Sequence, residues 1–342
     1  MTTTRFTGIT LQPSHTIGRA EFSGPGFRNP VAMVRGEDDT MYVVSRSYDY
    51  RPDGKRITIC TLDEEYIGEF ARGVTTAGEG DPSDADGSLI WPTAIALDSE
   101  GNVFVADEWL NRISIYEGDG AYTSKWGTQG SGDGEISSPS GLAFDQDDNL
   151  LLVDCDNHRI QKFTRDGQYI SQFGSKGDGD GEFNMPWGIT VDRNGDIFIA
   201  DWRNDRIQKF DRNGNFLMKF GTSGSGDGEL DRPTGVAVDK DGNVYVTDWG
   251  NDRLQVFSAE GEYMTQTNGD GSLSKWGKEK LDANSEMWQE RDIAQGLERE
   301  RLFWGPIAVT VDDDDNVFVV ESARSRIQIF RRQVPVFFGG RL

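Results

Sequence analysis

Four prolines, Pro92, Pro139, Pro186 and Pro233, stand 47 residues apart, and each opens a similar run: PTAIALD, PSGLAFD, PWGITVD and PTGVAVD. Self-similarity at a fixed period of this size marks a repeat architecture, and it overrides any division of 342 residues into several ordinary domains. Two further copies are stretched. Pro233 to Pro306 spans 73 residues, 26 more than the period, and Pro30 to Pro92 spans 62, which is 15 more. The chain therefore contains six repeats.

Within a unit, a short β-rich run meets a turn such as DRNGD or DKDGN, an alternating run such as VYVTD follows, and RIQKF or RLQVF precedes a fourth run such as FLMKFG. These are four short strands joined by hairpin signals. A four-stranded unit cannot bury both faces alone, so the units must stack radially or along a solenoid. The amino-terminal HTIG, residues 15–18, decides for a ring. Gly18 stands twelve residues before Pro30, as Gly127, Gly174 and Gly221 stand before Pro139, Pro186 and Pro233. It reads as a fourth strand without its own first three, and the last repeat ends in a shortened, proline-interrupted tail that can accept it. Closure of this kind hides the sheet edges. The expected fold is one all-β domain over 1–342, a six-bladed propeller with blades opening near 30, 92, 139, 186, 233 and 306 and an insertion at about 269–304.

The motifs DNHRIQKF, DWRNDRIQKF and DWGNDRLQVF resemble the NHL repeat, named for Asn-His-Leu, which builds six-bladed β-propellers. The likeness extends over about residues 15–333. It implies the fold and leaves function open, because such propellers serve as enzymes, ligand binders and docking modules. One distant branch, the peptidylglycine amidating lyases, holds zinc with histidines in the channel. Only His15 and His158 occur here, so the resemblance does not extend to a histidine-zinc amidating lyase.

A net charge of −23 repels phosphate backbones, so nucleic acid is not an expected partner. No stretch approaches the length of apolar sequence that crosses a membrane. The amino terminus carries no apolar secretory core, which predicts a cytoplasmic protein. Cys60 and Cys155 lie far apart in sequence, in no CxxC, and read as reduced thiols. No organic-cofactor motif is present, and no zinc-ligand pattern supports a metal.

What recurs in every blade reads as scaffold. Asp107, Asp154, Asp201 and Asp248 end second strands, and Arg56, Arg112, Arg159, Arg206, Arg253 and Arg326 open third strands, a pairing suited to charge-assisted hydrogen bonds that fix the loop. His158 occupies a slot filled elsewhere by Asn111, Asp205, Asp252 and Ser325 and reads as a structural loop residue. The repeated GSGDGE-type links read as turns rather than calcium loops, and VDDDDN at 311–316 reads as a solvated acidic hairpin.

What departs from the repeat is the candidate site. Blade one carries six extra residues between its second and third strands and nine in its outgoing link, and the extra 26 residues of blade five lie in its outgoing link; all emerge on one face. SEMWQERDIAQGLERERLF has Asn284 or Ser285 as a cap and predicts a helix of three to five turns, weakened at Gly296 and acting as a lid or as a subunit interface. Eight of nine tryptophans map to the same end, Trp126 being the exception. Trp91, Trp109, Trp187, Trp202 and Trp249 with Arg203 and Arg232 are the candidate ligand-binding residues, and Glu108, Asp156, Tyr48, Tyr50 and Arg46 the candidate catalytic groups. The sequence thus predicts a propeller that binds a small molecule or peptide in an aromatic, lidded pocket at the channel mouth. A lyase or hydrolase in the same pocket, or a protein-docking scaffold or homodimer, are the alternatives.

Overall fold

A computed structural model describes residues 8–48, 51–73 and 84–334. Six four-stranded antiparallel sheets form the blades of a propeller. The inner strands are Pro30–Arg35, Pro92–Leu97, Pro139–Phe144, Ile189–Val191, Pro233–Val238 and Pro306–Val311, and they line a central channel of about 350 Å³. The second strands, such as Val103–Asp107 and Val244–Asp248, are buried at every residue. Each lies between neighbouring blades, which is why these runs are rich in Val and Ile rather than alternating with polar residues. Outer strands such as Tyr122–Trp126 and Tyr169–Phe173 expose their centres.

The core is six apolar clusters, each shared by two adjacent blades. Three residues before each blade-opening proline, the link drops an apolar plug into that space: Phe27, Leu89, Ile136, Phe183, Leu230 and Phe303 are all buried. Each such side chain contributes about 1.5–3 kcal/mol by leaving water. The glycine that ends the preceding outer strand is required by this plug. A Cβ on Gly174, at φ +92°, would stand 2.4 Å from the Phe183 ring, and one on Gly18, at φ +106°, 2.5 Å from Phe27. The twelve-residue Gly-to-Pro spacing is thus the length of a link that must turn, plug and enter the next blade.

Closure is as expected but longer. The amino-terminal strand, β1, runs Thr10–Ile17 and pairs antiparallel with Arg326–Gln333 as the outer strand of blade six. The third strand of that blade continues to Gln333 instead of turning, so β1 makes seven residue pairs with it rather than the four made by the other outer strands.

The insertion departs from expectation. It forms three short helices, α1 (Lys275–Asp282), α2 (Ser285–Ile293) and α3 (Glu298–Arg301). Asn284 caps α2 by accepting from the Glu286 N–H, and Gly296, at φ +78°, separates α2 from α3. The first of the helices, α1, is not a lid. Trp276 of α1 is 2% exposed and meets Phe27 edge-on at 5.8 Å, Ser274 donates to the Gly18 carbonyl, and the buried Glu64 carboxylate accepts from the backbone N–H groups of both Gly18 and Trp276. Apolar burial therefore draws α1 onto the outer seam where blades six and one meet, away from the channel opening. Trp276 belongs to this seam, not to the mouth.

At the opposite end of the ring, the acidic 311–316 hairpin keeps Asp313 and Asp314 exposed and attracts cations from neighbouring strands and hairpins. Asp313 pairs with Arg193 of blade four, and Asp315 with Lys240 and Arg332. Among the described residues no helix is long and apolar enough to cross a membrane.

Candidate functional site

The repeated acids and arginines form one network in each of blades three to six; in blade two Asp107 instead accepts from the Ile90, Trp91 and Leu110 N–H groups while Arg112 donates to link carbonyls, and in blade one Arg56 pairs with Glu69 of the outer strand. Asp154 accepts from the Ser137 N–H, Asn157, Arg159 and Gln161; Asp201 and Asp248 repeat the pattern with Arg206 and Arg253. Glu321 replaces the aspartate in blade six and pairs with Arg326. The arginines go on to donate to the carbonyls of the glycine-rich link, as Arg159 does to Gly132 and Glu135. Glu135, Glu182 and Glu229 close those links on their own backbone N–H groups. These groups are consumed in holding the loops. Among the described residues no cluster of three or more His, Cys, Asp or Glu is placed to hold a metal ion.

A second set of bonds joins blades two, three and five to their successors at the channel, blades four and six carrying Trp187 and Ile307 at the position instead of a hydroxyl. Thr93 donates to the Pro139 carbonyl at 2.6 Å, Ser140 to Pro186 at 3.1 Å and Thr234 to Pro306 at 3.4 Å, each joining one blade to the next. In blade one the equivalent residue is Val31. Arg46 fills the vacancy from the slot after the second strand, its Nε donating to the Pro92 carbonyl at 3.0 Å.

The rest of the Arg46 guanidinium faces the rim. It stacks over Trp91 at 4.8 Å, and its Nη2 is buried, 3.8 Å from the Glu108 carboxylate, with no hydrogen-bond partner. Burial lowers its pKa to about 10 against the pull of Glu108 and Asp107. Glu108 is raised from the ordinary carboxylate range, first by burial, with Asp156 and Asp107 adding to the rise and Arg46 opposing it. Asp156 accepts from the Ser138 hydroxyl at 2.7 Å. Arg46, Glu108 and Trp91 are therefore in one place, with Asp156 close enough to act on Glu108.

The other half of the rim is aromatic. Trp187 and Trp202 lie 6.2 Å apart, Arg203 stacks on Trp202 at 4.6 Å, and Arg232 on Trp249 at 4.7 Å. Between blades five and six a cavity of about 430 Å³ is walled by Trp249 and Trp304, with Arg232, Asp252, Asn29 and Ser322 as its polar groups. The Asn29 Oδ1 is buried without a partner.

Other candidates stand apart. Tyr48 accepts from Arg28 at 3.0 Å and lies under that guanidinium, in the expanded loop of blade one. Trp109 is 72% exposed. Tyr50 lies outside the described residues, as does part of the blade-one link. Trp304 and Asn29 were not among the residues selected from sequence. The signal was available, since Asn29 and Gly305 hold the position before the blade-opening proline that Arg232 holds in blade five.

The NHL repeat profile matches residues 137–163, 183–210 and 230–257, so blades three, four and five carry NHL repeats on a six-bladed propeller. No curated protein matches the chain. Solved structures with the same fold include virginiamycin B lyase from Staphylococcus aureus, at 12% identity and a TM-score of 0.56 over 94% of this chain and 99% of that one. A streptogramin B lyase follows at 13% and 0.56, over 95% and 98%. A Bacteroides thetaiotaomicron protein of unknown function gives 16% and 0.61, over 95% and 76%. At these identities the likeness is one of fold.

Proposed function

We propose that this propeller binds a small molecule or peptide on the face bearing the second-to-third strand loops. An anionic or acceptor group of the ligand meets Arg46 and Glu108, and flat or apolar parts meet Trp187, Trp202, Trp249 and Trp304. The observation that carries this reading is the Arg46 Nη2, a cationic donor held out of water at the channel rim with no hydrogen-bond partner. Leaving such a donor unsatisfied is costly, and a ligand oxygen satisfies it. The aromatic cavity beside blade six supplies apolar area of the size that small ligands use.

A second reading, a lyase or hydrolase in the same place, is favoured by Glu108. A carboxyl whose pKa is raised by burial, beside a cation, is suited to proton transfer. Chemistry here would fall to Glu108 rather than to histidine, because the His158 ring accepts from the Met185 backbone and His15 contacts the Leu62 carbonyl. In that respect this chain differs from its structural neighbour, of which a histidine-to-alanine form, with quinupristin, is described as catalytically inactive.

Tryptophan fluorescence and mass analysis with quinupristin, followed by a screen of carboxylate-bearing aromatic compounds, test both readings. Binding is expected to weaken at least about tenfold, or about 1.4 kcal/mol, in Arg46→Ala and in Trp249→Ala. A product whose formation stops in Glu108→Gln supports the enzyme. Binding that survives both Arg46→Ala and Trp249→Ala overturns the site.

A further inference from the structure

The structure assigns a second site, for a phosphate or terminal phosphoryl oxyanion, to the pocket between the helical insertion and blade six. The pocket holds about 230 Å³ and is lined by Arg19, Arg291, Arg301, Arg324 and Arg326, with Glu300 as its one acidic wall residue. In a chain of net charge −23 such a concentration of guanidinium groups is unexpected. Their carboxylates do not balance them. Arg19 pairs with Glu21, Arg291 with Glu300 and Arg301 with Asp270, while Arg324 and Arg326 share Glu321. Arg326 holds both oxygens of Glu321, and Arg324 stays 3.8 Å away.

Blade six also breaks the arginine pattern of blades two to five at this point, as blade one does at Arg56, whose Nη1 is buried without a partner. Nη1 of Arg112, Arg206 and Arg253 donates to the carbonyl of an incoming link, and Nη1 of Arg159 and Arg253 to a glutamine of the outer strand. In blade six the closing strand β1 puts Thr16 opposite Gln328, where the outer strands of blades three and five put those glutamines. Arg326 accordingly bonds through Nε and Nη2 only, and its Nη1 lies beside Gly271 at the pocket wall, where a Cβ would come within 2.8 Å of it. The Nε groups of Arg19 and Arg324 are buried and donate no hydrogen bond, facing the Glu21 and Glu321 carboxylates only at 3.4 and 3.8 Å. Forked donors around one small cavity suit a tetrahedral oxyanion, which accepts from several guanidiniums at once. Because Arg291 and Arg301 come from the insertion and Arg19, Arg324 and Arg326 from the ring, the anion would tie the helices to the closure seam.

Equilibrium dialysis of the full chain against radiolabelled inorganic phosphate, at neutral pH and fixed ionic strength, tests this. One phosphate per chain is expected, weakened at least about tenfold in Arg291→Ala/Arg324→Ala. Arg291→Gln, on a short helix outside the blade network, gives the same loss if the double variant misfolds, and Arg212→Ala, on the opposite face, leaves binding intact. Displacement by glycerol phosphate identifies a phosphoryl group as the occupant, and displacement by inorganic phosphate alone identifies the free ion. Absence of saturable phosphate binding, or binding unchanged in the variants, overturns the assignment.

Discussion

The Nδ1 atom of His158, in blade three, accepts a 3.0 Å hydrogen bond from the backbone N–H of Met185 at the threshold of blade four. Asn111, Asp205, Asp252 and Ser325 make the equivalent bond from their own blades to the next, to Ser138, Arg232, Gly305 and Asn29. The residue that names the repeat is a clasp between blades.

In blade three the clasp is an imidazole and depends on its protonation. Nδ1 must be unprotonated to accept, and burial lowers the His158 pKa in the folded protein, Lys176 adding to the effect. The unfolded chain then binds the proton more readily, so the clasp's stability is present above the unfolded pKa of about 6.5 and lost as pH falls through the folded value. Thermal unfolding followed from about pH 7.5 to 5 should show a loss that His158→Asn, the residue blade two uses, reduces.

Arg46 serves scaffold and site with different atoms. Val31→Thr would restore the hydroxyl that Thr93 and Ser140 provide, so Arg46→Met/Val31→Thr should unfold within about 1 kcal/mol of the parent in denaturant titration, while ligand binding is lost. A double variant that is both unstable and binding-competent would reverse these roles.

Trp276 seals the ring. Trp276→Ala should cost about 3–5 kcal/mol of stability, with amides of Thr10–Ile17 exchanging faster than those of blade three. Uniform exchange acceleration around the ring would show that the seam is no weaker than the other junctions.

Gly174→Ala should destabilise by more than about 1 kcal/mol, because the new Cβ meets Phe183 and the φ of +92° is unfavourable to alanine. Phe183→Ala relieves the contact but opens a cavity, so the two changes should combine less than additively in a double-mutant cycle.

Both thiols should be inert in the folded state. Burial pushes Cys60 up to about 12, and burial with Asp156 and Glu108 pushes Cys155 higher still. A thiol-specific reagent at about pH 8 is expected to react with neither until denaturant is added.

The repeat made the scaffold readable. Proline spacing, the Gly-to-Pro interval, the Asp–Arg pairs and the clasp position recur because each blade solves the same packing problem with local contacts, and local solutions leave a periodic trace. The insertion was legible only in part. Asn284 marked the start of α2, as capping chemistry predicts, and Gly296 the break before α3, but nothing local showed that Trp276 would bury against Phe27, about 250 residues earlier in the chain. The segment before the expected helix became part of a seam for that reason. By itself the sequence determined the six-bladed ring, its closure and the face on which departures gather, all of which follow from periodicity. Which departures meet was decided only in three dimensions. Arg46 of blade one reaches Glu108 and Trp91 of blade two, Asn29 and Trp249 wall one cavity across the ring closure, and Arg19, just after β1, shares a pocket with Arg291. These contacts are set by the angle between blades and by the strand that closes the ring, neither of which is written at any one position.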